Sequence, residues 1–272
     1  MDKLTFKPYA KTRSRINAGH SVPSYIDLCL STNPNITQEE EDSIAWTANS
    51  AYGGGTDTTI ATISSILLFA ALHPEEQKLV YEELSNIVGS DRLPTLADKP
   101  NLPYTTAFIQ ECMRLAPAAP VAVPHKAVQE DFYQGYLIPK DSVVIANVWA
   151  MVHDPNVYHT PWTFDPTRFL PHQEITSIPS KGTLIGRNEP NPDNVIFGFG
   201  RRVCPGMFLA SSGVWIYTAC FFAVFEIGFG EGEKKKKTLD DFEFVEHLLR
   251  HPMPFDAEVK IREGVEDVLK RS

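Results

Sequence analysis

The chain has 272 residues, enough for one large domain or two small ones, and its 43% hydrophobic content excludes wholesale disorder. The net charge of −9, with no extended basic stretch, argues against a nucleic-acid partner. The first ten residues are polar and charged, and the longest apolar run, residues 60–72, is too short to cross a membrane. We therefore expect neither a secretory signal nor a membrane anchor in this chain.

A long helix is predicted to begin at Thr37, which forms a capping box with Glu40, and to run without proline to residue 72. Three consecutive glycines, residues 53–55, lie in its middle. Each costs about 1 kcal/mol relative to alanine in a helix, so together they cost ~3 kcal/mol. This cost indicates close backbone approach to a ligand or a local unwinding. A simple break between two shorter helices is nearly as good an interpretation.

Two further helices follow. Pro74 opens a charged surface helix over 73–88, closed by Gly89, and the next helix begins at 102–103 and must end before Pro117. The second helix carries Glu111 and Arg114, which are three residues apart and therefore share a face. By default such a pair is solvated and contributes little.

After these helices the sequence predicts extended chain and turns. Prolines at 117, 120 and 124 force an extended path through small apolar residues, and 133–144 alternates in the manner of a hairpin. Residues 170–195 are polar and predict a loop, and 231–237 a charged turn.

Residues 197–206 place Cys204 directly before Pro205 and a long apolar run. Pro205 suits the first position of a helix, which would put Cys204 at a helix N-terminus, where an anion is stabilised. The neighbouring glycines leave room for something flat and large, and Arg202 adds a fixed cation. The alternative is a glycine-rich turn with a buried structural cysteine.

This stretch resembles the haem-binding loop of the cytochromes P450, Phe-x-x-Gly-x-Arg-x-Cys-x-Gly. Its fixed positions are filled by Phe197, Gly200, Arg202, Cys204 and Gly206. The resemblance implies that Cys204 is the axial thiolate ligand of haem iron and that Arg202 pairs with a haem propionate. It also places Phe197 and Gly206 in the cofactor-binding loop.

Residues 54–59 resemble the oxygen-activation motif of the same family, (Ala/Gly)-Gly-x-(Asp/Glu)-Thr-Thr. By that resemblance, Thr58 would hydrogen-bond the oxygen species at the iron and Asp57 would feed protons from solvent. These two are the expected catalytic residues.

The Glu-x-x-Arg pair resembles a further signature of the family, and residues 164–169 resemble its Phe-x-Pro-x-Arg-Phe segment. The implied structural triad is Glu111, Arg114 and Arg168. His125 falls where relatives place an Arg or His on a haem propionate, and a surface histidine at a strand edge is an equal alternative. The resemblance also implies that the strand after the Glu-x-x-Arg helix and the hairpin around 251–255 line the substrate pocket.

Together these motifs predict a mainly α fold with small β-sheets, the C-terminal part of a single cytochrome P450 domain over 1–272 whose N-terminal half is absent. The implied function is haem-thiolate monooxygenation, with one oxygen atom of O2 entering an apolar substrate and electrons from NADPH-cytochrome P450 reductase. A non-catalytic haem-binding fragment and a haem-thiolate isomerase or dehydratase are the alternatives.

Residues 133–140 look like those of eukaryotic microsomal members and favour a fungal enzyme of secondary metabolism. A monomer is expected. A full-length relative would lie at the endoplasmic reticulum membrane, and this chain, without an anchor, in the cytoplasm.

Overall fold

A computed structural model describes residues 2–33, 35–172, 174–233 and 235–265. The chain divides into two compact units, Met1–Asp57 and Thr58–Ser272, which are described in turn. A single domain over 1–272 stays a prediction.

The first unit contains helices α1, Asp2–Asn17, and α2, Tyr25–Thr32, and the beginning of α3, Gln38–Leu72. Helix α1 buries Tyr9 and sets Phe6 edge-on against Trp46, with ring centroids 6.1 Å apart. Arg13 forms an ion pair with Glu41 of α3. Helix α1 therefore packs against the beginning of α3 within the first unit.

The predicted bounds of the long helix are confirmed. The Thr37 backbone N–H donates to Glu40 Oε2 at 2.8 Å, and the Glu40 N–H donates to Thr37 Oγ1 at 3.3 Å, which is the expected capping box. The helix ends at Leu72, and Pro74 begins the next one.

The second unit begins inside α3 and adds five helices among its described residues. They are α4, Pro74–Ile87; α5, Pro103–Leu115; α6, Val148–Val152; α7, Asp193–Ile196; and α8, Met207–Val224. Its core combines aliphatic and aromatic side chains, and Phe108 lies edge-on to both Phe164 and Phe222, with ring centroids 5.3 and 5.9 Å apart. Trp215 of α8 is buried and donates to Thr106 Oγ1 of α5 at 3.0 Å.

Ten short strands lie among the described residues: β1, His125–Lys126; β2, Asp131–Tyr133; β3, Tyr136–Ile138; β4, Val143–Val144; β5, Glu174–Ile175; β6, Leu184–Ile185; β7, Phe225–Phe229; β8, Phe244–Glu246; β9, Arg250–Pro252; and β10, Ala257–Ile261. They form five two-stranded antiparallel sheets, β1–β4, β2–β3, β5–β6, β7–β10 and β8–β9. The predicted hairpin over 133–144 is displaced towards the N-terminus. The observed one joins β2 and β3 and turns at Gln134-Gly135, where both residues have positive φ, as a type I′ turn requires, while β4 pairs with β1. The predicted mainly α fold with small sheets is confirmed.

Helix α4 differs from its prediction as a merely charged surface helix, because Gln77 and Glu83 are buried. Gln77 Nε2 donates to the carbonyls of Ala70 and Ile227 at 3.0 and 2.9 Å, and Gln77 Oε1 accepts from the Ile227 N–H at 2.9 Å. This one amide therefore joins the end of α3, α4 and strand β7.

Two of the described helices, α3 and α8, are long and apolar enough to cross a membrane by length and composition alone. Core helices of soluble proteins satisfy the same criterion, so the finding is weak evidence for a span. About 44% and 33% of their most apolar windows are buried inside the protein.

Candidate active site

The cysteine loop lies between α7 and α8. Helix α7 ends at Ile196, and Gly198 reverses the chain with a φ of +80°. A 3-10 turn, Gly200–Arg202, follows, and the Cys204 N–H then donates to the Phe197 carbonyl at 2.8 Å. This bond closes the loop and places the two ends of residues 197–204 side by side.

Helix α8 begins later than the sequence predicts. Met207 is its first residue and Gly206 its N-cap, so Pro205 is not the first helical residue. The Met207 N–H donates to the Cys204 carbonyl at 3.2 Å, which makes residues 204–207 a turn ahead of the helix. Cys204 therefore lies three residues before the first residue of α8 rather than immediately before it.

Two glycines of the cysteine loop have free space where a side chain would be. A Cβ added to Gly200 would meet nothing within 4 Å, and one added to Gly206 would meet Cys204 Sγ at 3.8 Å. Cys204 is half-buried, Phe197 packs against the core, and Arg202 is exposed. The structure thus brings the predicted loop residues to one place, with the Cys204 thiol next to Gly206 and open space at Gly200.

The glycine-rich motif lies in unbroken helix. Helix α3 continues through residues 53–55, so both the break into two helices and the local unwinding are wrong. Asp57, at the end of the first unit, is exposed, and Thr58, at the start of the second, is half-buried. The Thr58 carbonyl accepts from Thr62 Oγ1 at 2.9 Å.

The residues of the predicted triad are in direct contact. Arg114 Nε and Nη2 donate to the two carboxylate oxygens of Glu111 at 2.8 and 2.9 Å, and Arg168 Nε donates to Glu111 Oε1 at 3.0 Å. All three residues are fully buried. The default interpretation of Glu111 and Arg114 as a solvated surface pair is therefore wrong.

The remaining donors of both arginines are also engaged. Arg114 Nη1 donates to the Val152 carbonyl of α6 at 2.8 Å. Arg168 Nη2 donates to the Thr163 carbonyl at 2.9 Å, and Arg168 Nη1 donates to Glu189 at 3.0 Å. We refer to Glu111, Arg114 and Arg168 as the buried ion network, since these contacts hold α5, α6 and the turn Pro166–Phe169 together.

His125 lies on β1, exposed, opposite Val144 of β4. It occupies the strand edge that the sequence predicts, and a role as a propionate partner stays a prediction.

Sequence reasoning missed a second buried carboxylate. Glu83 is fully buried, and its oxygens accept from the Tyr104 and Thr105 N–H groups at 3.0 and 2.7 Å and from the hydroxyls of Thr105 and Ser177 at 2.8 and 2.6 Å. It thereby satisfies the free N–H groups at the start of α5, the helix that carries Glu111. Nothing in the surrounding charged sequence distinguishes Glu83 from its exposed neighbours.

Sequence reasoning also missed His153, which lies directly after α6 and is buried against two tryptophans, with its Nδ1 2.8 Å from the Trp149 carbonyl. Burial lowers the pKa of His153 to about 4, and the nearby cations Arg114 and Arg250 act in the same direction. The ring is therefore neutral at physiological pH.

Comparison with known proteins is consistent with this arrangement. The family model described as cytochrome P450 matches residues 2–259. Cytochrome P450 monooxygenase 208 of Postia placenta is 38% identical over 264 residues, which cover 96% of this chain and 48% of the relative. Cytochrome P450 monooxygenase claR of Ampulloclitocybe clavipes is 36% identical over 265 residues, which cover 97% of this chain and 47% of the relative.

Among solved structures, a zebrafish cytochrome P450 determined with progesterone superposes with a TM-score of 0.76 at 28% identity, over 96% of this chain and 56% of the other. The chain spans about half the length of the curated relatives it matches. Three observations agree: the cysteine loop, the buried ion network, and a family match that runs almost from end to end. The chain belongs to the cytochrome P450 family.

Proposed function

We propose that this chain forms the haem-binding part of a monooxygenase that inserts one atom of O2 into an apolar organic substrate. The observation that carries the proposal is the loop 197–206, in which the Cys204 thiol lies beside open glycine backbone. Electrons would come from an NADPH-dependent reductase. The chain is expected to be a monomer, and the endoplasmic reticulum membrane is the expected setting of a full-length relative.

The residues of the loop fit haem, the cofactor that the family implies. A thiolate is a soft ligand that suits iron, and the clear surface at Gly200 and Gly206 admits a flat macrocycle. Cys204 would supply the axial ligand, with Phe197 and Gly206 in the same loop. Arg202, an exposed cation, and His125, an exposed side chain that can donate a hydrogen bond, would pair with the propionates.

Haem so held supplies O2 binding and O–O cleavage, which thiolate ligation favours. The chain's own residues would supply the protons. Asp57 is exposed, as a group that takes protons from solvent must be, and the Thr58 hydroxyl can both accept and donate a proton. The presence of both favours a monooxygenase over an isomerase or dehydratase, since relatives of the latter kind often lack the pair.

The pocket would be bounded by two segments of the second unit. Residues 118–123 are irregular and carry small apolar side chains, and the β8–β9 hairpin brings Leu248, which is exposed, to its tip. An apolar lining excludes water and favours an apolar substrate.

The test is the carbon monoxide difference spectrum of the reduced, haem-supplied protein. We expect a red-shifted Soret band of the thiolate type, lost in Cys204→Ser and kept in Cys220→Ser, a control at another half-buried thiol. NADPH-dependent turnover with a reductase would follow. Folded protein that binds no haem, or a band that survives Cys204→Ser, would refute the proposal.

A further inference from the structure

Four side chains of the second unit form one stacked group, which we name the Trp149 cluster: Trp149, His153, Trp162 and Arg250. The His153 ring centroid lies 4.2 Å from that of Trp149 and 4.3 Å from that of Trp162. The Arg250 guanidinium lies 4.7 Å from the Trp149 ring centroid, within the range of a cation–π interaction. Trp162 is the exposed member of the group and His153 the buried one.

The backbone of two members of the cluster holds the irregular segment 118–122. The Arg250 N–H donates to the Ala118 carbonyl at 2.8 Å, and the Trp149 N–H donates to the Pro120 carbonyl at 2.8 Å. Ala118 and Pro120 are two residues apart along the chain. The residues that stack by their side chains therefore also hold this segment at two points.

The side chain of Arg250 fixes a different piece of chain. Its guanidinium carbon lies 3.7 Å from the Phe244 ring centroid, and Phe244 pairs with Pro252 across the β8–β9 hairpin. Arg250 is thus enclosed between a ring of its own hairpin and the Trp149 ring of α6. Separating the hairpin from α6 would break this stack.

His153 in turn sets the orientation of Trp149. Its ring contacts both indoles, whose centroids are 6.1 Å apart, and its Nδ1 lies 2.8 Å from the Trp149 carbonyl oxygen. Neutral imidazole stacks on indole without adding a buried charge beside Arg250 and Arg114. His153 therefore restrains the Trp149 ring through contacts that do not involve the hairpin backbone.

We propose that the Trp149 cluster is a positioning device that sets the spacing between segment 118–122 and the β8–β9 hairpin and thereby selects substrate size. The second part rests on the proposed function, in which these two segments are walls of the substrate pocket. Trp149 and Arg250 act through the segments they hold, and they are positioning residues.

The first experiment needs no haem. Hydrogen exchange at single amides is compared in the parent chain, in Trp149→Leu, which removes the ring, and in Trp149→Phe, which keeps one. Phe132→Leu, on the exposed strand β2, is the matched control. We expect the amides of residues 149 and 250 to exchange at least tenfold faster in Trp149→Leu, with α5 unchanged, and near-parental exchange in Trp149→Phe and in the control.

The second experiment uses the haem-loaded protein and two azoles of different size, imidazole and clotrimazole. We expect Trp149→Leu to weaken clotrimazole binding about tenfold and to change imidazole binding less than twofold, because only the larger ligand reaches the walls. Trp149→Phe should restore clotrimazole binding to within about twofold of the parent.

Unchanged exchange at the two amides in Trp149→Leu, or an equal increase throughout the second unit, would overturn the positioning role. Equal weakening of both azoles would overturn the role in size selection. If the parent itself binds no haem, the proposed function fails and size selection fails with it, while the exchange data still decide whether the cluster holds the two segments.

Discussion

The buried ion network and the cysteine loop both depend on arginine, in opposite environments. Arg114 and Arg168 are fully buried, and their donors meet carboxylates and carbonyls within the chain. Arg202 is exposed, and Cys204 is half-buried beside open backbone.

The difference separates two kinds of signature residue. Residues whose polar atoms are all used inside the chain maintain the fold, and their loss should be measured as lost stability. Residues presented on open backbone are available to a ligand, and their loss should be measured as lost binding. Substitutions in the two regions can test this distinction directly.

The largest effect is expected from Glu111→Gln, which keeps the shape of the side chain and removes its charge. Arg114 would then lie fully buried without the carboxylate it now contacts twice, so the free energy of unfolding should fall by about 3–5 kcal/mol. Urea denaturation measures this change. Asp141→Asn, which breaks the exposed pair between Lys126 and Asp141, is the control and should cost at most about 1 kcal/mol. Equal effects of the two substitutions would contradict the distinction.

A smaller effect is expected from pH, through His153 beside the network. Its folded-state pKa of about 4 lies below the ordinary value of 6.5, so between these values the unfolded chain binds a proton that the folded chain does not. Above pH 6.5 His153 is neutral in both states and costs the fold nothing. As the pH falls to 4, the free energy of unfolding should drop by roughly 2–3 kcal/mol through this group. Urea midpoints of the parent and of His153→Phe, compared over this window, measure the difference. Parallel profiles would show that His153 does not titrate in this way.

The smallest effect on stability is expected at the loop. Arg202→Gln should change the free energy of unfolding by less than about 0.5 kcal/mol, because the side chain is exposed. Haem affinity, measured by titration, should fall roughly tenfold, about 1.4 kcal/mol, through the loss of a charge-assisted hydrogen bond to a propionate. A large loss of stability with unchanged haem affinity would reverse the assignment of the two regions.

Local signals in the sequence predicted the elements that depend on neighbouring residues. The capping box at Thr37 and Glu40 and the proline after His73 determine the bounds of α3 within a few residues of chain. The haem-loop residues were identifiable for a similar reason, because their pattern is contiguous. The role of each of them in binding stays a prediction.

Predictions from the sequence were wrong where the structure of a segment depends on residues outside its own motif. Three glycines suggested a break, yet α3 is continuous, because a helix that is already nucleated on both sides propagates through poor residues at a modest cost. Pro205 suggested a helix start, but the turn at Cys204 and Gly206 delays it to Met207. The local sequence signal for helix α1 is weak, since Pro8 lies within it and its residues are mostly polar.

The buried polar side chains of α4 could not have been distinguished from their neighbours. Glu83 is one of several acidic residues on that helix, and its partners are Thr105 and Ser177, 22 and 94 residues later. His153 gave no signal of its own, because its burial depends on Trp162 from the following loop.

The Gln77 amide also has a consequence for the order of events during synthesis. Its partner Ile227 follows it by 150 residues, so at 5–20 residues per second the ribosome delivers strand β7 roughly 8–30 s after α4. Until then the Gln77 side chain has only water and the Ala70 carbonyl to bond, and the corner between α3 and α4 cannot close as in the folded chain. Strand β7 therefore completes a junction that α3 and α4 begin, and ribosome-bound intermediates that lack β7 should expose this corner to chaperones and proteases.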